Sequence, residues 1–318
     1  MKSILFTNAK LKGQNGLQDI YITDGKFKEI GPGLAAKVTS EKVVDLEGKL
    51  AVPPYVDPHI RLDYVFTALN PAAANKTGSL FEGIQRWSET KGRLTKEEIK
   101  ERARQAMKQE ILTGVQYIRT HVDVTDPKLT ALLAMLELRE EVKDTCTLQI
   151  IAFPQEGMYA YQGGDKLVEE ALTMGADLVG AIPHFEYTRE DGVKSVQKAF
   201  ELAVKYDKMV CDETDDDQSR FIEVLAAEAL RSGIAEKATA SHTCAMHSYN
   251  NAYTYKLFKL LGLSKVNFIS CPTENIHLQG RFDNYPKRRG LTRVKELNEA
   301  GINVCFAQDS MSDPWYPV

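Results

Sequence analysis

Residues 148–206 contain, in order, LQIIAFPQ (148–155), DKLVEEALTM (165–174), LVGAIPHFEY (178–187) and VKSVQKAFELAVKY (193–206). The first and third segments are short apolar runs that end on polar residues, as fully buried strands do. The second and fourth carry apolar residues at helical spacing, with charged residues on the opposite face. Two strands joined through a helix pair in parallel, because a parallel connection needs a crossover of a dozen or more residues. Working outward, the same alternation gives strand candidates at 50–60, 115–124, 209–214, 238–243, 266–273 and 302–309, and helix candidates at 95–112, 218–233 and 248–262. Eight strand units alternating with helices predict an α/β fold, a (β/α)₈ TIM-type barrel. A doubly wound open sheet is the alternative; it needs fewer strands, and no G-x-G-x-x-G loop follows the first strand.

Six polar residues stand at the ends of these runs: His59, Gln155, His184, Glu213, His242 and Asp309. In such a barrel the C-terminal strand ends converge on one face, where catalytic residues gather. One polar residue there could be a satisfied core group; six at equivalent positions point to a site.

Residues 1–50 differ. SILFTNAKL, DIYITDGKFKEIG and KVVDLEGKL are β-type runs punctuated by Asp-Gly and Glu-Gly, which suit hairpins. The expected organisation is a small β layer over 1–50 and a barrel over 51–318.

Lys plus Arg total 40 against 44 Asp plus Glu, a net charge of −4. Such a balance gives no reason to expect nucleic acid or a membrane surface as partner, and a small-molecule substrate is the expectation. Cys146, Cys211, Cys244, Cys271 and Cys305 are odd in number and mostly lie in apolar runs, as reduced buried thiols do. Neither a signal peptide nor a membrane span of about 18 apolar residues is seen, so a cytoplasmic setting is expected.

Several long runs are similar to bacterial cytosine deaminases of the amidohydrolase superfamily: SLFEGIQRWSETK (79–91), YIRTHVDVTDPKLTAL (117–132), GADLVGAIPHFEYTREDGV (175–193), CDETDDDQSRF (211–221), SHTCAMHSYNNAYT (241–254), NIHLQGRFDNYPKRRG (275–290) and NVCFAQDSMSDPWYP (303–317). The resemblance runs over nearly the whole chain. It implies metal-dependent hydrolytic deamination of cytosine or a close analogue such as 5-methylcytosine, isocytosine or creatinine, with one divalent ion, iron or zinc. Within it, His59 and Asp309 match metal ligands, Glu213 the proton shuttle, and His242 the histidine that holds and activates the water. Asp309 counts with the catalytic set. Gln155 matches the amide that pairs with the ring, and Trp315 an aromatic that closes the pocket. The other zinc deaminase class, with H-x-E and P-C-x-x-C, is excluded because Cys271 precedes Pro272 and no second cysteine follows.

The sequence also departs from the family. The second histidine of the strand-one His-x-His pair is replaced by Arg61, in Asp57-Pro58-His59-Ile60-Arg61. Arginine has no lone pair and stays charged. About 4 Å from a cation it would repel by roughly 4 kcal/mol per unit charge at an effective dielectric near 20. The family histidine before Cys-Asp-Glu is replaced by Val210, in a fifth strand that reads as short. Ser310 stands where many relatives have a second acid, and its small size is expected to leave room for a C5 substituent on the ring. Only nine residues follow Asp309, since 318 − 309 = 9. The barrel is therefore expected to be C-terminally incomplete, lacking its last helix; either the sequence is a fragment of a longer chain, or the β layer relies on another subunit, as in a homo-oligomer. The alternative function is a catalytically impaired relative that binds a nucleobase or acts as an assembly partner. Of the remaining histidines, His121 and His184 are expected to buttress strands, His247 to start a helix and His277 to reach the pocket rim. Lys287-Arg288-Arg289 reads as a solvated loop.

Overall fold

The computed structural model describes residues 2–206, 209–212 (main chain), 216–288 and 290–316. Its contacts divide the chain into two compact units, Met1–Pro54 and Tyr55–Val318.

The first unit is a sheet of β1 (Ser3–Leu11), β2 (Leu17–Thr23), β3 (Lys26–Gly31), β4 (Lys42–Asp45) and the two-residue β5 (Leu50–Ala51). β1 pairs antiparallel with β2 and parallel with β4 and β5, and β2 pairs antiparallel with β3. Asp24 and Gly25 both have positive φ, 49° and 72°. That is what a two-residue hairpin loop matched to the strand twist requires, so the Asp-Gly signal had a physical basis. Leu5, Ala9, Ile20 and Leu34 are buried, whereas Phe27, Ile30, Val43 and Leu50 are exposed.

The second unit is built on eight parallel strands: β6 (Tyr55–Ile60), β7 (Val115–Asp123), β8 (Thr147–Phe153), β9 (Leu178–Ala181), β10 (Met209–Asp212), β11 (Ala238–Ser241), β12 (Asn267–Ser270) and β13 (Val304–Phe306). Each neighbours the next in sequence, so the sheet runs from β6 to β13 in chain order. Just beyond β13 the chain returns to β6. Asp309 N donates to the His59 carbonyl at 2.8 Å, and Arg61 N donates to the Asp309 carbonyl at 3.0 Å. A parallel bridge joins Ile60 to Asp309.

β10 is not short in its sheet. It has four residues, as β9, β11 and β12 do, and pairs in register with both neighbours.

Helices α1 (Leu80–Lys91), α2 (Lys96–Leu112), α3 (Thr130–Val142), α4 (Gly164–Met174), α5 (Arg189–Tyr206), α6 (Phe221–Ser232), α7 (Asn251–Ser264), α8 (Pro272–Leu278) and α9 (Val294–Glu299) alternate with the strands. α2 starts on a capping box: Thr95 Oγ1 accepts from Glu98 N, and the Glu98 carboxylate accepts from Thr95 N. Helix faces such as Leu132, Met135 and Leu138 of α3, or Val196, Ala199 and Ala203 of α5, are buried in one large core. In β9, Gly180 is dictated by packing: a Cβ there would meet the Phe153 ring at 2.7 Å and the Ala152 carbonyl oxygen at 2.9 Å. Among the described residues, no helix is long and apolar enough to cross a membrane.

Candidate active site

The site forms where β6, β8, β11, β12 and the segment after β13 end. His59, near the end of β6, is fully buried. Its Nδ1 lies 2.6 Å from Ser241 Oγ on β11, and its ring stacks on His121 of β7 at 3.6 Å. Held in this way, the Nε2 edge meets Asp309, 3.2 Å from Oδ1. His242 follows β11 directly, with Nε2 3.4 Å from Asp309 Oδ2 and Nδ1 3.0 Å from the Asn275 amide nitrogen. His242 and Asp309 both adopt positive φ, 60° and 70°. Such backbone costs of order 1–3 kcal/mol in non-glycine residues and tends to mark sites where side chains must be aimed.

Arg61 enters the same cluster. Its Nε is 3.3 Å from Asp309 Oδ1, its Nη1 donates to Gln155 Oε1 at 2.9 Å, and its guanidinium carbon lies 4.6 Å from the centre of the Phe153 ring. Burial pushes the Asp309 carboxyl up, but His59, His242 and Arg61 outweigh it and hold the group well below the usual carboxylate range. Burial, then the positive charges of His59 and Arg61, press His121 well below the ordinary imidazole value. His121 is therefore neutral, and its part is to support His59.

Gln155 lies beyond β8. Its Oε1 accepts from Arg61 and also from the Tyr64 hydroxyl at 2.9 Å, leaving the Nε2 amide as its donor toward a ligand. Tyr64 stacks on Trp315 at 4.6 Å and tilts against Trp87 at 4.1 Å. A cavity is lined by Arg61, Gln155, His184, His242, Glu274 and Trp315, with Leu80, Ile182 and Leu278 supplying apolar wall.

The structure thus brings His59, Gln155, His242, Asp309 and Trp315 together. Glu213 lies outside the described residues. Several expectations need correction. His184, expected to buttress a strand, stands on the cavity wall because a short turn, Pro183–Phe185, carries it past the end of β9. His277 is not among the cavity-lining residues described; it sits on α8, its carbonyl accepting from Arg281 Nε at 2.6 Å. His247 lies in a turn, Cys244–Ser248, ahead of α7 rather than at its start. Arg288 is held by Asp283 at 2.8 Å, so it is not simply solvated, and Arg289 lies outside the described residues.

Ser310 is fully buried, and its hydroxyl donates to the Glu274 carboxylate, which lines the cavity. The room expected beside a small serine is next to an acid from α8. Burial, with Asp309 and Asp313 adding like charge, holds Glu274 well above its ordinary value. Burial likewise lifts Asp313 to about 7.

Glu274, Asn275, Tyr64 and Cys271 were all missed. Cys271 directly follows β12, as His242 directly follows β11, and that placement was the available signal. His59, His242 and Cys271 each offer a ligand atom within 4.8 Å of the others. Nitrogen, sulfur and carboxylate donors of this kind suit one divalent ion of the zinc or ferrous type. His59 Nε2 and Asp309 Oδ2 are buried and make no well-formed hydrogen bond among the described residues, which also suits an ion. The Arg61 guanidinium opposes it.

A model of the amidohydrolase family matches residues 42–318. The chain belongs to that family. Among solved amidohydrolase structures, a 5-methylcytosine deaminase from Klebsiella pneumoniae liganded with 5-fluorocytosine is 52% identical, with a TM-score of 0.94, over 99% of this chain and 76% of that one. The N-isopropylammelide isopropyl amidohydrolase of Pseudomonas sp. (strain ADP) is 28% identical over 326 residues, 99% of this chain and 76% of that protein. Pterin deaminase of Rhizobium rhizogenes is 26% identical over 305 residues, 94% of this chain and 68% of its own length.

Proposed function

We propose that this amidohydrolase hydrolyses the exocyclic amine of cytosine or a close analogue, 5-methylcytosine, isocytosine or creatinine, releasing ammonia. The carrying observation is that two imidazole Nε2 atoms meet one buried carboxylate beside a cavity walled by Gln155 and Trp315. Likeness to the 5-methylcytosine deaminase structures supports the choice of ring. The eight strands and the Ile60–Asp309 bridge support a (β/α)₈ barrel over 51–318 with a small β layer over 1–50. The exposed apolar residues of the β layer support self-association. Composition supports a cytoplasmic setting.

His59 and Asp309 would hold the divalent ion, with His242 and Cys271 close by. When bound, that ion supplies a water acidified toward neutrality. Gln155 Nε2 donates to a ring carbonyl and fixes the ring's orientation. Trp315, stacked on Tyr64, covers the ring and excludes solvent. His242, held through Nδ1 by Asn275, keeps its Nε2 facing the reacting centre. Glu213 carries the proton from water to the ring nitrogen. The test is ammonia release by the purified protein from each of the four compounds. Release from none, with the protein folded and metal supplied, refutes the reading.

The contact between Arg61 and Asp309 favours a second reading, a catalytically impaired relative that binds a nucleobase or serves as an assembly partner. Ring binding without turnover would select it.

A further inference from the structure

We propose that Glu274 recognises the exocyclic amino group of the ring, with Ser310 as its positioning residue; this rests on the nucleobase reading above. Glu274 is the third residue of α8, whose start is fixed by Pro272 immediately after β12 ends at Ser270. Its side chain turns inward: the residue is 3% exposed, lines the cavity, accepts from the Ser310 hydroxyl and is in hydrogen-bonding contact with Asp309. Asp309 is the carboxylate on which both imidazoles converge, so the reacting carbon of a bound ring lies toward it. The amino group leaves from that carbon. Among the described residues that line the cavity, Glu274 supplies the carboxyl, and an amine with two N–H donors is a fitting partner for it.

The test is equilibrium binding of cytosine and of 2-pyrimidinone, the same ring without the amine, to the full protein and three variants. The unaltered protein is expected to prefer cytosine. Glu274→Ala narrows that preference several-fold, the scale of a net hydrogen bond between neutral groups. Glu274→Gln, which keeps size and hydrogen-bonding capacity, retains most of it. Ser310→Ala, which removes one hydroxyl and leaves the fold intact, narrows it by a smaller factor in the same direction. A purely structural role lowers both affinities equally and leaves the ratio unchanged; that result overturns the proposal while leaving the nucleobase reading in place. Failure of the unaltered protein to bind either ring overturns both.

Discussion

Arg61 and His59 share one carboxylate oxygen: Arg61 Nε lies 3.3 Å and His59 Nε2 3.2 Å from Asp309 Oδ1. A guanidinium at the carboxylate that would hold a cation supplies the positive charge in its place and repels the ion by roughly 4 kcal/mol per unit charge at about 4 Å and a dielectric near 20. Arg61→His is therefore expected to raise zinc affinity at least about tenfold. Elemental analysis after dialysis against graded zinc reads this directly. Equal metal content in the two proteins refutes the antagonism.

Asp309 is also a structural charge. Asp309→Asn removes one side of a buried ion pair with Arg61, a change that costs about 3–5 kcal/mol. The urea midpoint of Asp309→Asn is expected to fall accordingly. Adding Arg61→Met should recover part of the loss, because the pair is then removed from both sides. Strictly additive losses would show that the two side chains do not interact.

Far from these groups, stability is expected to vary with pH through Glu110. The residue is buried on α2, and burial, with Asp57 adding like charge, lifts its carboxyl to about 8. The folded state therefore holds this proton more tightly than the unfolded chain, whose glutamates titrate near about 4.3. Stability from this group is full below that value and is lost as pH rises through about 8. Glu110→Gln removes the proton equilibrium, so its urea midpoint should fall less between pH 5 and pH 9 than that of the unaltered protein. Parallel pH profiles would count against it.

Trp315 owes its place to a glycine. A Cβ on Gly83 of α1 would lie 2.8 Å from both Trp315 Cδ1 and Nε1. Gly83→Ala is expected to displace the indole, weaken ring binding and cost roughly 1–3 kcal/mol of stability, the usual range for overpacking. Unchanged affinity for cytosine would mean that Trp315 does not cover the ring.

The strand order and most of the cluster were legible because both rest on local signals. Apolar runs set the strands, and a polar residue at each C-terminal end set His59, Gln155, His242 and Asp309. Cys271 has the same placement but was read as an inert buried thiol, since cysteine at a strand end is chemically ambiguous. Glu274 was not legible: it sits on a short helix, and its importance comes from a contact with Ser310, 36 positions away. A sequence shows that Ser310 is small; it does not show which neighbour reaches that space. Arg61 was readable as a defect, and its contact with Asp309 follows from β6 and the end of the last strand being hydrogen-bonded neighbours.

Arg61 opposes the divalent ion that the proposed deaminase site would hold. The direct measurement compares metal content and ammonia release from cytosine and 5-methylcytosine in the unaltered protein and in a variant carrying Arg61→His and Val210→His. Metal per chain and turnover are expected to rise together, each at least about tenfold given the size of the repulsion removed. A variant that holds one tight ion per chain, binds the ring and still releases no ammonia would contradict it, as would stoichiometric metal and full turnover in the unaltered protein.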